Sequence, residues 1–240
     1  MKKFLLATII LASAVSLSLL SSCRLGCVKG SGNQQTQNNK VAKFDRITIS
    51  GPFHVKLKQD SSMSVSITAD DNFFKYIRVN SDDGTLSIKT RKSFCGSGEV
   101  MVNIGVGNLS RIEGDGAVTY TADGKLTTGD LKFELNGKST VDLDLNAANV
   151  VTEGNGLCDV TLRGQATSHK VEMNGKGTLH AFDFVVSKYD INATGKLDGE
   201  VNVLNELNVN STGASDIQYK GNPSSVNTSK MGASTVTKVN

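Results

Sequence analysis

The chain of 240 residues has no tryptophan, two prolines, few aromatics and three histidines. His54, His169 and His180 are scattered, and none has a second histidine at metal-ligand spacing, so no histidine-based metal site is spelled out. No stretch after the first 22 residues repeats its apolar positions every 3.6 residues, which excludes leucine-rich and helical repeats. An excess of charge is missing too. Without Lys2 and Lys3 the 26 basic residues fall to 24, against 23 acidic ones, and so close a balance offers no electrostatic reason for nucleic acid as a partner. What is plentiful is Gly and Asn, with alternating apolar residues between them, and that composition points to an all-β chain.

The one long apolar run is at the start. MKK is a positive n-region, FLLATIILASAVSLSLL an apolar core, and L-S-S-C at 20–23 resembles the bacterial lipobox. Residues 1–22 are therefore expected to be a lipoprotein signal peptide, with Cys23 the lipidated residue and a membrane the partner it reaches. Cys27 fits less well, because Arg24 would stand where the pattern wants an aliphatic residue. Several acyl chains hold stably where one would not. Arg24 and Leu25 are not acidic, which favours the periplasmic face of the outer membrane over the cell surface. RLGCVKGSGNQQTQNNK, after Cys23, is polar and aperiodic, so 23–42 is expected to be a flexible tether. Cys27, Cys95 and Cys158 remain beside Cys23, an odd count that argues against a disulfide framework while leaving a Cys27–Cys95 pair open.

A four-residue signature recurs downstream. E-G-D-G at 113–116 returns as E-L-N-G at 134–137, E-G-N-G at 153–156 and E-M-N-G at 172–175. Degenerate copies carry the series Gly116, Gly137, Gly156, Gly175, Gly195, Gly213 and Gly232, with a period of 18 to 21 residues. Four residues before each glycine lie Ile112, Phe133, Thr152, Val171, Ile191, Val209 and Thr228, and alternation flanks them, so each unit holds two short strands with one buried face. About seven such units, stacked, predict a right-handed parallel β-helix. Each glycine marks a corner that needs positive φ. Asp115, Asn136, Asn155 and Asn174 are expected to stack as a ladder beside them, about 4.8 Å apart.

The glutamates take the outward position of the first strand, so Glu113, Glu134, Glu153 and Glu172 predict a vertical carboxylate stripe. Two residues earlier on the same face stand Arg111, Lys132, Val151 and Lys170, bases that offset such a stripe. Val151 interrupts them and leaves Glu153 without its expected partner. No cofactor is called for. The gap does make Glu134, Glu153 and Glu172 the place where a divalent cation such as calcium, or a basic ligand group, would enter.

Upstream, F-D-R-I-T-I-S-G-P-F-H-V-K-L puts Ile47, Ile49, Phe53, Val55 and Leu57 on one face, and S-D-D-G at 81–84 suggests a hairpin. Residues 43–105 are expected to form an N-terminal β region that caps the repeats of 106–240. F-D-R-I-T-I-S-G-P-F-H-V-K-L, A-D-D-N and G-T-L-S-I, followed by glycine-punctuated repeats, resemble the bacterial family described as putative autotransporter adhesin, head GIN domain. The resemblance covers residues 43–225. It implies a β-helical fold and an envelope location, often as a lipoprotein, and carries no catalytic residues with it.

A non-catalytic binding or adhesion module is the expected function, its partner a glycan or an envelope protein. Two alternatives stand beside it. One is a carbohydrate-active enzyme on the second outward face, which carries Asp142, Asp144, Asp159, Arg163, His180, Asp198, Glu200 and Asp216. The other is a structural or sensing component of an envelope complex.

Overall fold

The computed structural model describes residues 26–60, 62–96 and 98–240. Cys23 and the signal segment lie outside them. The fold is all-β, built on one 14-stranded sheet that does not close into a barrel. The short strands β1 (Val28–Lys29) and β8 (Phe94–Cys95) pair separately.

Parallel pairing dominates the repeat region. β10 (Arg111–Ala122) pairs with β12 (Leu131–Asn146), and β12 pairs with β13 (Asn149–Gly213). Registers match repeat to repeat: Gly116 faces Gly137, and Gly137 faces Gly156. At the far end β13 pairs in parallel with β14 (Asp216–Lys220) and β15 (Ser225–Gly232), and β14 pairs with β16 (Thr235–Lys238). Inward residues of successive repeats, such as Ile112, Phe133, Val171, Ile191 and Val209, form one buried core. Thr152 occupies the same position and is fully buried.

All seven repeat glycines have positive φ, 83° to 132°. Space is as restrictive as conformation. A Cβ on Gly175, whose φ is 116°, would lie 2.6 Å from the Gly156 carbonyl oxygen. Gly156 meets the Gly137 carbonyl oxygen in the same way. The period in the sequence is therefore set by backbones that approach too closely for any side chain.

The N-terminal strands are mixed. β3 (Arg46–Ser50) and β4 (Phe53–Gln59) both pair in parallel with β10, and β3 also with β7 (Thr85–Thr90). β6 (Ile77–Asp82) closes a hairpin on β7 through Asp83 and Gly84, both at positive φ. β5 (Val65–Asp70) runs antiparallel to β9 (Met101–Val106), which is itself parallel to β4.

One expectation is corrected at this end, and one pairing left open is decided. The stretch read as a flexible tether contains β1 and β2 (Gln34–Asn39), and β2 adds an antiparallel edge to β5. Its polar residues do not preclude a strand, because backbone groups make the pairing and both faces stay wet. Cys27 and Cys95 are joined in a disulfide across 68 residues, leaving Cys158 as the free thiol among the described residues, buried in the core. Pairing of β1 with β8 brings the two cysteines together, a proximity that an odd count could not reveal.

Candidate functional site

The outward face of the first strand in the first four repeats carries the glutamate stripe. Glu113 faces Glu134 and Glu134 faces Glu153 in register, because parallel pairing puts equivalent residues side by side. Their charge is offset by bases that reach diagonally. Arg111 pairs with Glu134 and lies 4.0 Å from Glu113. Lys132 Nζ stands 2.7 Å from Glu134 and 2.8 Å from Glu153. Lys170 contacts Glu172 at 2.6 Å.

The unpartnered Glu153 expected from Val151 is thereby corrected. A lysine stem is long enough for Lys132 to serve its own repeat and the next one. Partial burial alone would raise the Glu134 carboxyl, but Lys132 and Arg111 outweigh it and hold the group below the usual carboxylate range. The same contacts with Glu134 and Glu153 raise the Lys132 ammonium. Among the described residues no three His, Cys, Asp or Glu side chains gather as a metal cage.

Beside the stripe runs the amide ladder. Asn155 Nδ2 donates to Asn136 Oδ1 at 3.1 Å, and Asn174 Nδ2 to Asn155 Oδ1 at 3.2 Å. Asp115, one repeat earlier, accepts from the Ser50 hydroxyl at 3.3 Å. The repeats thus present an exposed strip of donors and acceptors along the sheet.

The second acidic face has its carboxylates engaged. Asp142 pairs with Arg163, Asp144 lies 3.5 Å from Lys125, and Asp198 lies 3.0 Å from Lys196. Glu200 contacts His180 Nδ1 at 2.9 Å. Asp159 and Asp216 accept from Thr178 and Thr235 at 2.9 and 2.5 Å. His54 is solvated, 4.0 Å from Glu99.

One feature escaped the sequence entirely. A-D-D-N at 69–72 clasps the segment that follows β1. Asp71 accepts from Ser31 Oγ at 2.6 Å and Asn33 Nδ2 at 2.9 Å, and Asn72 Nδ2 donates to the Lys29 carbonyl at 2.7 Å. Asp70 is buried and accepts from Gly32 N at 3.2 Å. Only the polar run Asp70, Asp71 and Asn72, out of place after a β-branched strand, could have signalled a loop clasp.

A family model for the putative auto-transporter adhesin, head GIN domain, matches residues 43–223. The chain belongs to this family. Solved structures share the fold. A putative adhesin from Bacteroides fragilis, 24% identical, superposes with a TM-score of 0.83 over 88% of this chain and 100% of its own. Another from Parabacteroides merdae gives 0.64 at 21% identity, covering 90% of this chain and 100% of that one. A protein from Parabacteroides distasonis described as a putative lipid binding protein gives 0.68 at 19% identity, over 89% and 99%. At these identities the likeness concerns the fold alone. No curated protein matches the chain. No helix among the described residues is long and apolar enough to cross a membrane.

Proposed function

We propose that this family member is an exported, lipid-anchored envelope protein whose repeats wind as a right-handed parallel β-helix and present the amide and carboxylate strip to an extended envelope glycan. The observation that carries the reading is the Asn136–Asn155–Asn174 ladder beside the ion-paired glutamates. Polar groups recurring at the strand spacing match a ligand that repeats along its own length, and a stiff sheet holds them in place without a cleft. Parallel pairing one repeat apart supports the helical winding, with the handedness that parallel crossovers follow. L-S-S-C at 20–23 supports acylation of Cys23 and residence at the outer membrane, with the periplasmic face preferred.

The binding test is a glycan array probed with the soluble domain, followed by product analysis of any glycan retained. Retention without cleavage, weakened by Asn155→Ala, is the expected result. Cleavage would replace the reading with an enzyme, and no retention would remove the glycan. For the anchor, Cys23→Ser should move the protein from the membrane fraction to the soluble one and abolish an acyl mass on the mature N-terminus. Protease added to whole cells should leave the domain intact if it faces the periplasm.

A further inference from the structure

The body of the domain begins close to the anchor. Four residue steps separate Cys23 from Cys27, a reach of at most about 14 Å even when fully extended. Cys27 is tied to Cys95 by the disulfide, and Val28 N donates to the Ser93 carbonyl at 2.8 Å. Phe94, on the same turn, stacks on Phe73 with ring centroids 4.1 Å apart. An acylated Cys23 would therefore hold this corner of the fold against the headgroups, with no long linker to let it turn away.

That corner is basic. Lys29, Lys75, Arg78, Lys89, Arg91 and Lys92 are all exposed, and none forms an ion pair among the described residues. The backbone gathers them. Arg78 faces Lys89 across the β6–β7 hairpin, Arg91 N donates to the Tyr76 carbonyl at 3.1 Å, and Lys29 faces Cys95 in register. Among the nearby acids, Asp70 is buried, Asp71 is held by Ser31 and Asn33, and Glu99 points at His54; the exposed Asp82 and Asp83 stand at the tip of the β6–β7 hairpin, four residues along the strand from Arg78 and Lys89. Elsewhere among the described residues nine of the seventeen bases have carboxylate partners, as Lys132 and Lys170 do. A chain whose overall charge is nearly balanced thus keeps unpaired cations beside its attachment point.

We propose that this corner is a membrane-docking surface, in which the six cations rest on anionic phospholipid headgroups of the bilayer that carries the anchor. The proposal builds on the acylation of Cys23 argued above. Docking would fix the orientation of the domain and direct the repeats away from the bilayer. Cations near a charged bilayer each add several-fold to partitioning, an effect that salt screens within a Debye length.

The experiment uses the mature chain with Cys23→Ser, so that no acyl group contributes, and sediments it with vesicles. Binding to phosphatidylglycerol vesicles is expected, with little to phosphatidylcholine, and it should fade as salt is raised. Combined Lys75→Gln, Arg91→Gln and Lys92→Gln should weaken it on the order of a hundredfold. Lys138→Gln with Lys176→Gln, on exposed repeat corners that also lack ion pairs, should leave it unchanged. Equal binding to neutral vesicles, or equal loss in the two variants, overturns the proposal, provided melting temperatures show both folded. Mass spectrometry of the native protein separates the two levels. An unacylated Cys23 overturns the anchor and this placement together, whereas indifference to anionic vesicles with an acylated Cys23 overturns the docking surface alone.

Discussion

His169 Nε2 lies 2.9 Å from the Thr152 hydroxyl, and both side chains are buried in the core. The ring is flanked by Phe184 and Tyr189, at centroid distances of 5.8 and 5.2 Å, and its Nδ1 has no protein partner. Burial lowers its pKa to about 3, from an ordinary 6.5. The folded chain therefore refuses a proton that the unfolded chain accepts below pH 6.5. The stability this neutral histidine contributes is complete above that pH and falls as pH drops towards 3.

The slope is about 1.4 kcal/mol per pH unit. The full slope is reached only well below pH 6.5, so denaturant unfolding at pH 6.5 and pH 4.5 should differ by roughly 2 kcal/mol. His169→Leu combined with Thr152→Val should flatten the dependence, and an unaltered slope in the double variant would assign it to other groups.

Gly175→Val should destabilise the fold by about 3 kcal/mol or more, since strain at positive φ adds to a clash with the Gly156 carbonyl. Gly129, with open space around it and no positive φ, is the control. Gly129→Ala should leave the urea midpoint nearly unmoved. Equal losses at the two sites would mean that the glycine column does not constrain the repeats.

Reduction of the Cys27–Cys95 bridge should cost about 4 kcal/mol, from the chain entropy released across 68 residues. Cys95→Ser tests this by denaturant unfolding. Proteolysis of the same variant should begin in β1 and β2, whose attachment then depends on short pairings and the Asp71–Asn72 clasp.

Lys132→Met should lower stability by only about 1 kcal/mol, and less in high salt, because its ion pairs are partly solvated. The informative readout is calcium. Wild-type melting should ignore millimolar calcium, since Lys132 already sits between Glu134 and Glu153. In Lys132→Met, the two carboxylates should acquire a calcium-dependent rise in melting temperature.

Much of the repeat architecture could be read directly from the residues. A parallel register between neighbouring repeats requires the same residue type at the same step, so E-x-N-G at 134–137 and 153–156 disclosed which residues would face each other. The inward alternation of Ile47, Ile49, Phe53, Val55 and Leu57 was legible for the same reason, because a strand's two faces are written two residues apart. Those signals are local and repeat.

Other features depended on distance in three dimensions. Cys27 meets Cys95 only because β1 lies beside β8, and nothing local to either cysteine encodes that pairing. The flexible stem of Lys132 chose the diagonal carboxylate that its position in the strand did not name. His169 is an ordinary polar residue in the sequence, and only the packing of neighbouring repeats removes it from water. Period and register are properties of short segments, which the amino-acid sequence determined by itself. Which distant segments touch, which ions pair and which polar groups lose their solvent were decided by the packed tertiary structure, where desolvation and reach act between residues far apart in the chain.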